Sequence, residues 1–457
     1  MATHPTPPET RAAVDSWEPP ASRARLGVLL LLCSMAFILY LDRVCVSQAL
    51  RSIQLELDLS DTESSYVLMA FTLAYGLFEV PTGHWGDRYG SRRILARIVV
   101  WWSIFTALTA ACFGFTSLII VRFLFGAGEA GAYPNAARVI ARWFPTAERG
   151  RVQGIFQAAS LVGGALAPAV AGFLIKWTHW RVPFILFGGL GLAWAALFFW
   201  WFRDDPDEHP AVNAAEARLL AECRHRGTTA HPPIPWREVV CHPAIWLLSI
   251  AVSCTAFNSY LYFSWYPTYL QKARDVEQAW SGVLSSLVLV GGTLGTLTGG
   301  VIVDRLSRSG QLTVATRRAV AIVCLLIAAG LLIASMQADD PTVSALLAAL
   351  ACWSMFSQQT VWWSCACEVS GRFLGSLFGL MNGLGVFGAM SSQYFFGRFA
   401  DYRKELGFTG REQYDPAFWA FAAALVLGAI CWLFINPARV IGAAMPDDSQ
   451  PAKSEPA

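Results

Sequence analysis

Charge is what this chain lacks. Only 14% of its 457 residues are Asp, Glu, Lys or Arg, and 55% are hydrophobic. Soluble domains carry about 25% charge, so a globule of this length could not cover itself with polar surface. The chain is therefore predicted to reside in a membrane. An excess of one sign is missing too. With 34 basic and 32 acidic residues the net charge is +2, which excludes a strongly basic nucleic-acid binder. No phosphate-binding G-x-x-x-x-G-K-[ST] motif occurs, so no nucleotide is expected and any active transport would draw on ion gradients. Neither H-E-x-x-H nor G-x-S-x-G is present, and no enzyme activity is expected. The 11 cysteines fall mostly inside apolar runs. The one close pair, Cys365 and Cys367, has no histidine nearby, so small buried side chains are expected, with no metal and no cofactor.

Long apolar runs are what the chain has. A spanning helix needs about 20 mostly apolar residues. Such stretches occur at about 26–48, 64–85, 94–113, 117–140, 152–175 and 182–202, then at about 243–269, 279–303, 318–337, 342–366, 373–399 and 416–437. The expected fold is an all-α integral membrane protein with twelve transmembrane helices in two six-helix halves. The halves are 26–202 and 243–437, joined by a polar loop at 203–242 and flanked by tails at 1–25 and 438–457. The first tail is polar, rich in proline and contains acids, so it reads as neither a signal nor a transit peptide. Within the loop, Glu216 to Arg226 reads as a short amphipathic helix.

Alternate loops hold about 21 Lys and Arg, and the opposite loops about eight, which places both termini and the central loop in the cytoplasm. The sequence also repeats itself. Gly83, Asp87, Arg88, Gly90, Arg92 and Arg93 form G-x-x-x-D-R-x-G-x-R-R after the second helix, and Gly300, Asp304 and Arg305 repeat its core after the eighth. Two parallel six-helix repeats with a site between them are a recurring transporter plan. An Asp with several Arg at a cytoplasmic helix end suits a charge latch, so Gly83, Asp87, Arg88, Arg92, Asp304 and Arg305 are the gating candidates.

With this motif complete, the chain resembles the major facilitator superfamily. Two further stretches narrow the resemblance. Arg122-Phe-Leu-Phe-Gly126-Ala-Gly128-Glu129-Ala is followed by Trp143-Phe144-Pro145-Thr-Ala-Glu148-Arg149-Gly150-Arg151. With Tyr40-Leu-Asp42-Arg43 in helix one, these are similar to the anion:cation symporter family. The resemblance covers about 26–437 and is more diagnostic in the first half. It implies pseudo-symmetric halves, a bacterial inner membrane, and import of organic anions such as sugar acids, hexuronates or aromatic carboxylates, usually with protons. It also implies Tyr40, Tyr75, Trp362 and Asn382 as substrate contacts. Ser160 stands where the family has an amide in helix five, which points to a different or larger anion.

The intramembrane charges lead the same way on physical grounds, because each costs at least ~2.5–3.5 kcal/mol to insert. Asp42 lies about 24 Å along helix one, and Arg122 about 8 Å from the outer end of helix four, so the two are at pairing depth. Glu129 follows Arg122 by two turns on the same face. Two carboxylates and two guanidiniums are therefore expected to face one cavity. Arg43 is the expected anion clamp, since a guanidinium stays charged and offers a planar fork. Arg122 either assists it or holds Asp42. Asp42 and Glu129 are the expected proton carriers, the alternative being a static network of all four. Glu79 reads equally as a third proton site or a latch partner, and Arg138 and Arg398 as snorkelling residues.

The second half offers Asn258, Tyr262 and Tyr266 in helix seven, Gln358, Gln359, Trp362 and Trp363 in helix ten, and Asn382 in helix eleven. Of these Gln359, Trp362 and Asn382 join Arg43, Tyr40, Tyr75 and Arg122 as substrate-binding candidates. The expected site lies between helices one, four, seven, ten and eleven. The function expected is proton-coupled import of a small organic anion by alternating access, in a monomer whose other partner is the bilayer. An anion exchanger or facilitator, and a transport-inactive membrane sensor, are the alternative readings.

Overall fold

The computed structural model describes residues 22–221, 235–436 and 441, with backbone alone at Val80, Gly83, His84, Gly86, Asp87, Ala221, Arg372, Leu374, Gly375 and Ser376. The structure is entirely helical among these residues. In the first half run α1 (Ala24–Leu57), α2 (Asp61–Tyr89), α3 (Ser91–Thr109), α4 (Phe115–Glu129), α5 (Ala132–Trp143), α6 (Thr146–Trp177) and α7 (Arg181–Trp201). The connecting segment holds two short helices, α8 (Ala214–Ala221) and α9 (Trp236–Cys241). The second half begins with α10 (Pro243–Tyr260), a π-helical stretch at Leu261–Trp265, and α11 (Tyr266–Ala273). It continues with α12 (Gln278–Arg308), α13 (Val314–Gln337), α14 (Pro341–Ser370), α15 (Leu374–Glu405), α16 (Gly410–Tyr414) and α17 (Ala417–Phe434). Taking α4–α5, α10–α11 and α16–α17 as single broken rods, twelve rods traverse the described residues.

Each expected apolar stretch matches one of these rods; eight lie wholly within theirs, and those at 94–113, 182–202, 373–399 and 416–437 overrun a rod end by one to four residues. Among the described residues eight rods are long and apolar enough to cross a membrane by length and composition alone. The other four, α2, α3, α14 and α15, carry more charge, glycine or hydroxyl groups, and α2 and α15 pack against one another. Leu30, Leu197, Trp200, Val323, Leu350 and Phe434 are exposed on the outside. In water such a surface would aggregate; in a bilayer it is the lipid-facing wall. The interior is sealed by close backbone approach. Gly291, Gly295 and Gly299 recur every fourth residue of α12 and face the carbonyls of Ala349, Trp353 and Ser357 on α14. An added Cβ would stand 2.2–2.3 Å from those oxygens, so only glycine permits this spacing.

Contacts between the first and last six rods gather away from the end that carries the chain termini. At that far end Ser60 caps α2 in a reciprocal box with Glu63, and the Asp401 carboxylate of α15 accepts the Thr62 amide at 2.7 Å. Next to it the Asp61 carboxylate accepts from Lys272 at 2.7 Å, Tyr414 at 2.8 Å and Gln54 at 2.8 Å. Gln48 reaches the Gln278 carbonyl at 2.7 Å, and Arg51 donates to the Gln271 carbonyl. Among the described residues no hydrogen bond or ion pair joins the two halves at the termini end. The bundle is closed at its far end.

Candidate functional site

A cavity of about 110 Å³ lies between the halves, and it is lined by α1, α2, α4, the end of α10, the π-helical stretch and α15. From α1 come Tyr40, Arg43 and Val44, spaced i, i+3, i+4 and so on one face. The Arg43 guanidinium is enclosed by three rings, its carbon 5.0 Å from the Tyr40 centroid, 5.2 Å from Phe71 and 4.8 Å from Tyr75. Its Nε donates to Glu129 Oε1 at 2.9 Å, and Nη2 donates to the same oxygen. Glu129 is wholly buried, and its second oxygen has no hydrogen-bond partner.

Arg122 lines the same cavity and is 1% exposed. Its guanidinium lies over Phe125 at 4.4 Å and Phe71 at 5.3 Å, and its Nε is unpartnered. Among the described residues no carboxylate stands within ion-pair distance of it. Asp42 points elsewhere. It is 1% exposed, faces Trp102 and Thr106 of α3, and neither carboxylate oxygen has a hydrogen-bond partner. Consecutive helical residues diverge by about 100°, so Asp42 and Arg43 could not share one face. The pair that forms is Arg43–Glu129, with Asp42 and Arg122 as unbonded charged neighbours.

The glycines of the helix-four motif are steric requirements. Gly126 lies against the Phe71 carbonyl, where a Cβ would come to 2.5 Å, and Gly128 lies under the Trp101 indole. Immediately after Glu129 the rod breaks. Gly131 takes φ +86°, and a Cβ there would stand 2.3 Å from Thr82 Oγ1. Past the break Arg149 donates to the Phe144 carbonyl at 3.0 Å and the Ala141 carbonyl at 2.6 Å, closing the end of α5. Gly131→Ala is expected to cost about 1–2 kcal/mol from the left-handed backbone alone, with the clash in addition. A thermal melt of the detergent-solubilised variant checks this, and a midpoint equal to wild type would refute it.

Of the other binding candidates, Tyr40 lines the cavity and Tyr75 packs on Arg43 from behind the lining. Trp362 is buried and donates its indole N–H to the Leu248 carbonyl at 2.9 Å. Gln359 touches Gln358, whose amide goes on to Thr255, and neither glutamine lines the cavity. Asn382 is exposed on α15 and lies about 16 Å from Gln393 along that helix. Asn258 is bonded to the carbonyls of Cys254 and Phe421, and Tyr262 and Tyr266 pack on one another. Glu79 is a charged neighbour of Arg43, and Ser160 accepts from Tyr133 at 2.7 Å.

The residues that do reach the cavity from the second half are Tyr260, Phe263, Ser264 and Gln393. Gln393 bridges the halves: its oxygen accepts from Thr72 at 3.0 Å and its amide donates to Ser264 at 3.1 Å. A helical period of 3.6 carried through helix seven selects Asn258, Tyr262 and Tyr266. The π-helical turn widens the helix at Leu261–Trp265, and Phe263 and Ser264 within it reach the cavity beside Tyr260, the last residue of α10.

Among the gating candidates, the side chains of Gly83 and Asp87 lie outside the described residues, as do Arg226 and, apart from 22–25 and 441, the tails. Arg88 is exposed against Tyr89. Arg92 receives more support: its amide donates to Asp204 Oδ1 at 2.9 Å and its Nε to the Phe199 carbonyl at 3.0 Å. Asp204, at the end of α7, thus caps α3 beside Gly90, whose φ is +82°. Asp304 and Arg305 are exposed, with no ion pair among the described residues.

A half-buried Arg43 and a buried Arg122 facing one interior cavity, in a multi-span helical bundle closed at one end, give the architecture of a membrane carrier. The chain belongs to the major facilitator superfamily, whose model matches residues 32–393. It is a transporter-family protein, not an enzyme. It is 34% identical over 422 residues to a probable sulfoacetate transporter of Cupriavidus necator, covering 91% of this chain and 94% of that one. It is 31% identical to a probable L-galactonate transporter of Escherichia coli, covering 79% and 80%. It is 29% identical to a hexuronate transporter of Bacillus subtilis, covering 79% and 84%. These relatives agree with the anion:cation symporter resemblance. Among solved structures, the fold matches a bacterial homologue of the human lysosomal transporter Spinster in an inward-facing, unoccupied conformation. There the TM-score is 0.75 at 20% identity, over 92% of this chain and 98% of that one. A D-xylose–proton symporter matches with a TM-score of 0.71 at 15% identity, over 91% and 98%.

Proposed function

We propose that this protein imports a small organic anion together with a proton, by rocking residues 26–202 against 243–437 around the central cavity. The observation that carries the reading is the Arg43–Glu129 pair standing beside an unpaired Arg122. Glu129 in its charged form occupies the Arg43 fork. A proton on Glu129 releases the fork, and the substrate carboxylate replaces it. Proton and anion are then taken up together, because either alone leaves a charge buried without a partner. Arg122 presents a second fork, and Asp42 behind it is a second carboxylate available for a proton. Relatives named for sulfoacetate, galactonate and hexuronate put small carboxylates and sulfonates first among substrates. The basic loops support a cytoplasmic location for the termini end, and a bacterial inner membrane fits the bacterial relatives. One chain encloses the whole cavity, so a monomer suffices.

The test is uptake into proteoliposomes under an inward proton gradient, with sulfoacetate, galactonate, hexuronates and aromatic carboxylates, and a neutral sugar as control. Gradient-stimulated accumulation of one acid is the expected result. Flux that ignores the gradient and needs anion on both sides would make the protein an exchanger, and tight binding without flux would make it a sensor.

In this cycle the far-end cluster around Asp61 must come apart when the cavity opens outward. Asp61→Asn weakens the contact with Lys272, a charge-assisted bond of about 1.5–3 kcal/mol. The open fraction at the far end is expected to rise about tenfold or more. Distances between spin labels on the far ends of α2 and α15 measure it; an unchanged distribution would remove the cluster from the gate.

A further inference from the structure

We infer that the groove between α2, α3 and α4 on the outer wall of the first half is a binding site for one anionic phospholipid. Its volume is about 170 Å³, and it is walled by Trp85, Ile98 and Trp101 over a floor of Ala127 and Gly128. Among the described residues Arg97 is the only charged residue lining it. The Arg97 guanidinium is exposed, lies 4.7 Å over the Trp85 ring, and has no carboxylate partner among the described residues. An unpaired cation on a lipid-facing wall is costly unless an anion meets it. Two other polar groups in the groove are already engaged. The Trp101 indole N–H donates to the Leu124 carbonyl at 2.9 Å, and the Thr82 hydroxyl donates to its own helix at Phe78.

Depth fixes the kind of ligand. Arg97 is six residues inside α3, about 9 Å from the helix end that holds Arg92 and Arg93. That is the border between headgroups and acyl chains, where the flanking tryptophans also belong. A ligand with one phosphate for the guanidinium and an apolar body for the indole walls is a phospholipid, and the cation selects one with net negative charge. The floor residue Gly128 precedes Glu129, so an acyl chain in the groove packs against the back of the helix that holds the cavity's buried carboxylate.

Native mass spectrometry of the full chain, titrated with phosphatidylglycerol or phosphatidylcholine, reads occupancy directly. Wild type is expected to retain one phosphatidylglycerol about tenfold better than phosphatidylcholine, the weight of one charge-assisted hydrogen bond. Arg97→Gln should remove that preference, Arg97→Lys should keep part of it, and Arg308→Ala, on an exposed helix end, should leave it unchanged. Melting midpoints in lipid-free detergent confirm that each variant is folded. Equal retention of the two lipids by wild type, or an undiminished preference in Arg97→Gln, would overturn the site. Displacement of the lipid by millimolar inorganic phosphate would reduce it to a free-phosphate site and overturn it as well.

Discussion

Replacing Arg43 by alanine is expected to abolish accumulation of the anion, with substrate affinity falling about 30- to 5,000-fold. Two effects add. The substrate loses a planar fork in a low-dielectric cavity, where truncating one member of a charge pair costs about 2–5 kcal/mol. Glu129 loses its only hydrogen-bond donor and stays wholly buried, which costs about 3–5 kcal/mol if it remains charged. The second effect lowers stability and so could imitate the first. The double variant Arg43→Ala/Glu129→Gln separates them, because a neutral amide needs no counter-charge. Its melting midpoint should recover toward wild type while binding, read by tryptophan fluorescence or calorimetry, stays lost. Arg43→Lys keeps the charge without the fork and should retain weak binding. Restored binding in the double variant would mean that Arg43 serves only to neutralise Glu129.

The helical plan of this protein is written in its hydropathy because lipid imposes a simple rule: every span must satisfy its own backbone and show apolar side chains outward. The twelve stretches therefore match the twelve rods, to within four residues at the ends that they overrun. The first-half site was legible for a related reason. Intramembrane charges are few, and Arg122 and Glu129, seven residues apart, do share a face. What hydropathy does not encode is rotation of one rod about its axis. Asp42 and Arg43 read as a unit along the chain, yet one turns to α3 and the other to the cavity. Elementary helix geometry already required that split. Helix seven is harder, because the π-helical turn at Leu261–Trp265 has no strong local signature and changes which residues face inward. Gln393 stayed hidden among the Gly, Ser and Phe of α15 because one amide in a weakly amphipathic helix carries no sign of its partner. That partner, Thr72, is 321 positions away. Trp362 shows the converse, a large amphipathic ring whose N–H is met by the Leu248 backbone inside its own half.

Glu129→Gln is expected to separate transport from its driving force. The amide keeps the volume and an oxygen toward Arg43 but takes no proton. Wild type, carrying one proton per anion, should accumulate substrate about tenfold for each pH unit of inward gradient, since one unit is worth 1.36 kcal/mol. The variant should equilibrate the anion to about the same concentration on both sides and still catalyse counterflow. The sign with pH follows. In wild type, uptake falls as external pH rises, because the proton that frees Arg43 becomes scarce. In the variant Arg43 is permanently free, so uptake should be nearly flat with pH. Asp42→Asn is the partner test. Both Asp42 oxygens are buried without a close hydrogen bond, and the groups that face them are Trp102 and Thr106 of α3 and the Arg122 guanidinium. If Asp42 carries a proton as well, this variant should halve the logarithm of the accumulation ratio and leave affinity within a few fold. Full gradient-driven accumulation in both single variants would take the proton away from these carboxylates. Loss of counterflow in Glu129→Gln would assign Glu129 to positioning Arg43, since an amide that cannot titrate but fills the same space leaves an exchange cycle nothing else to lack.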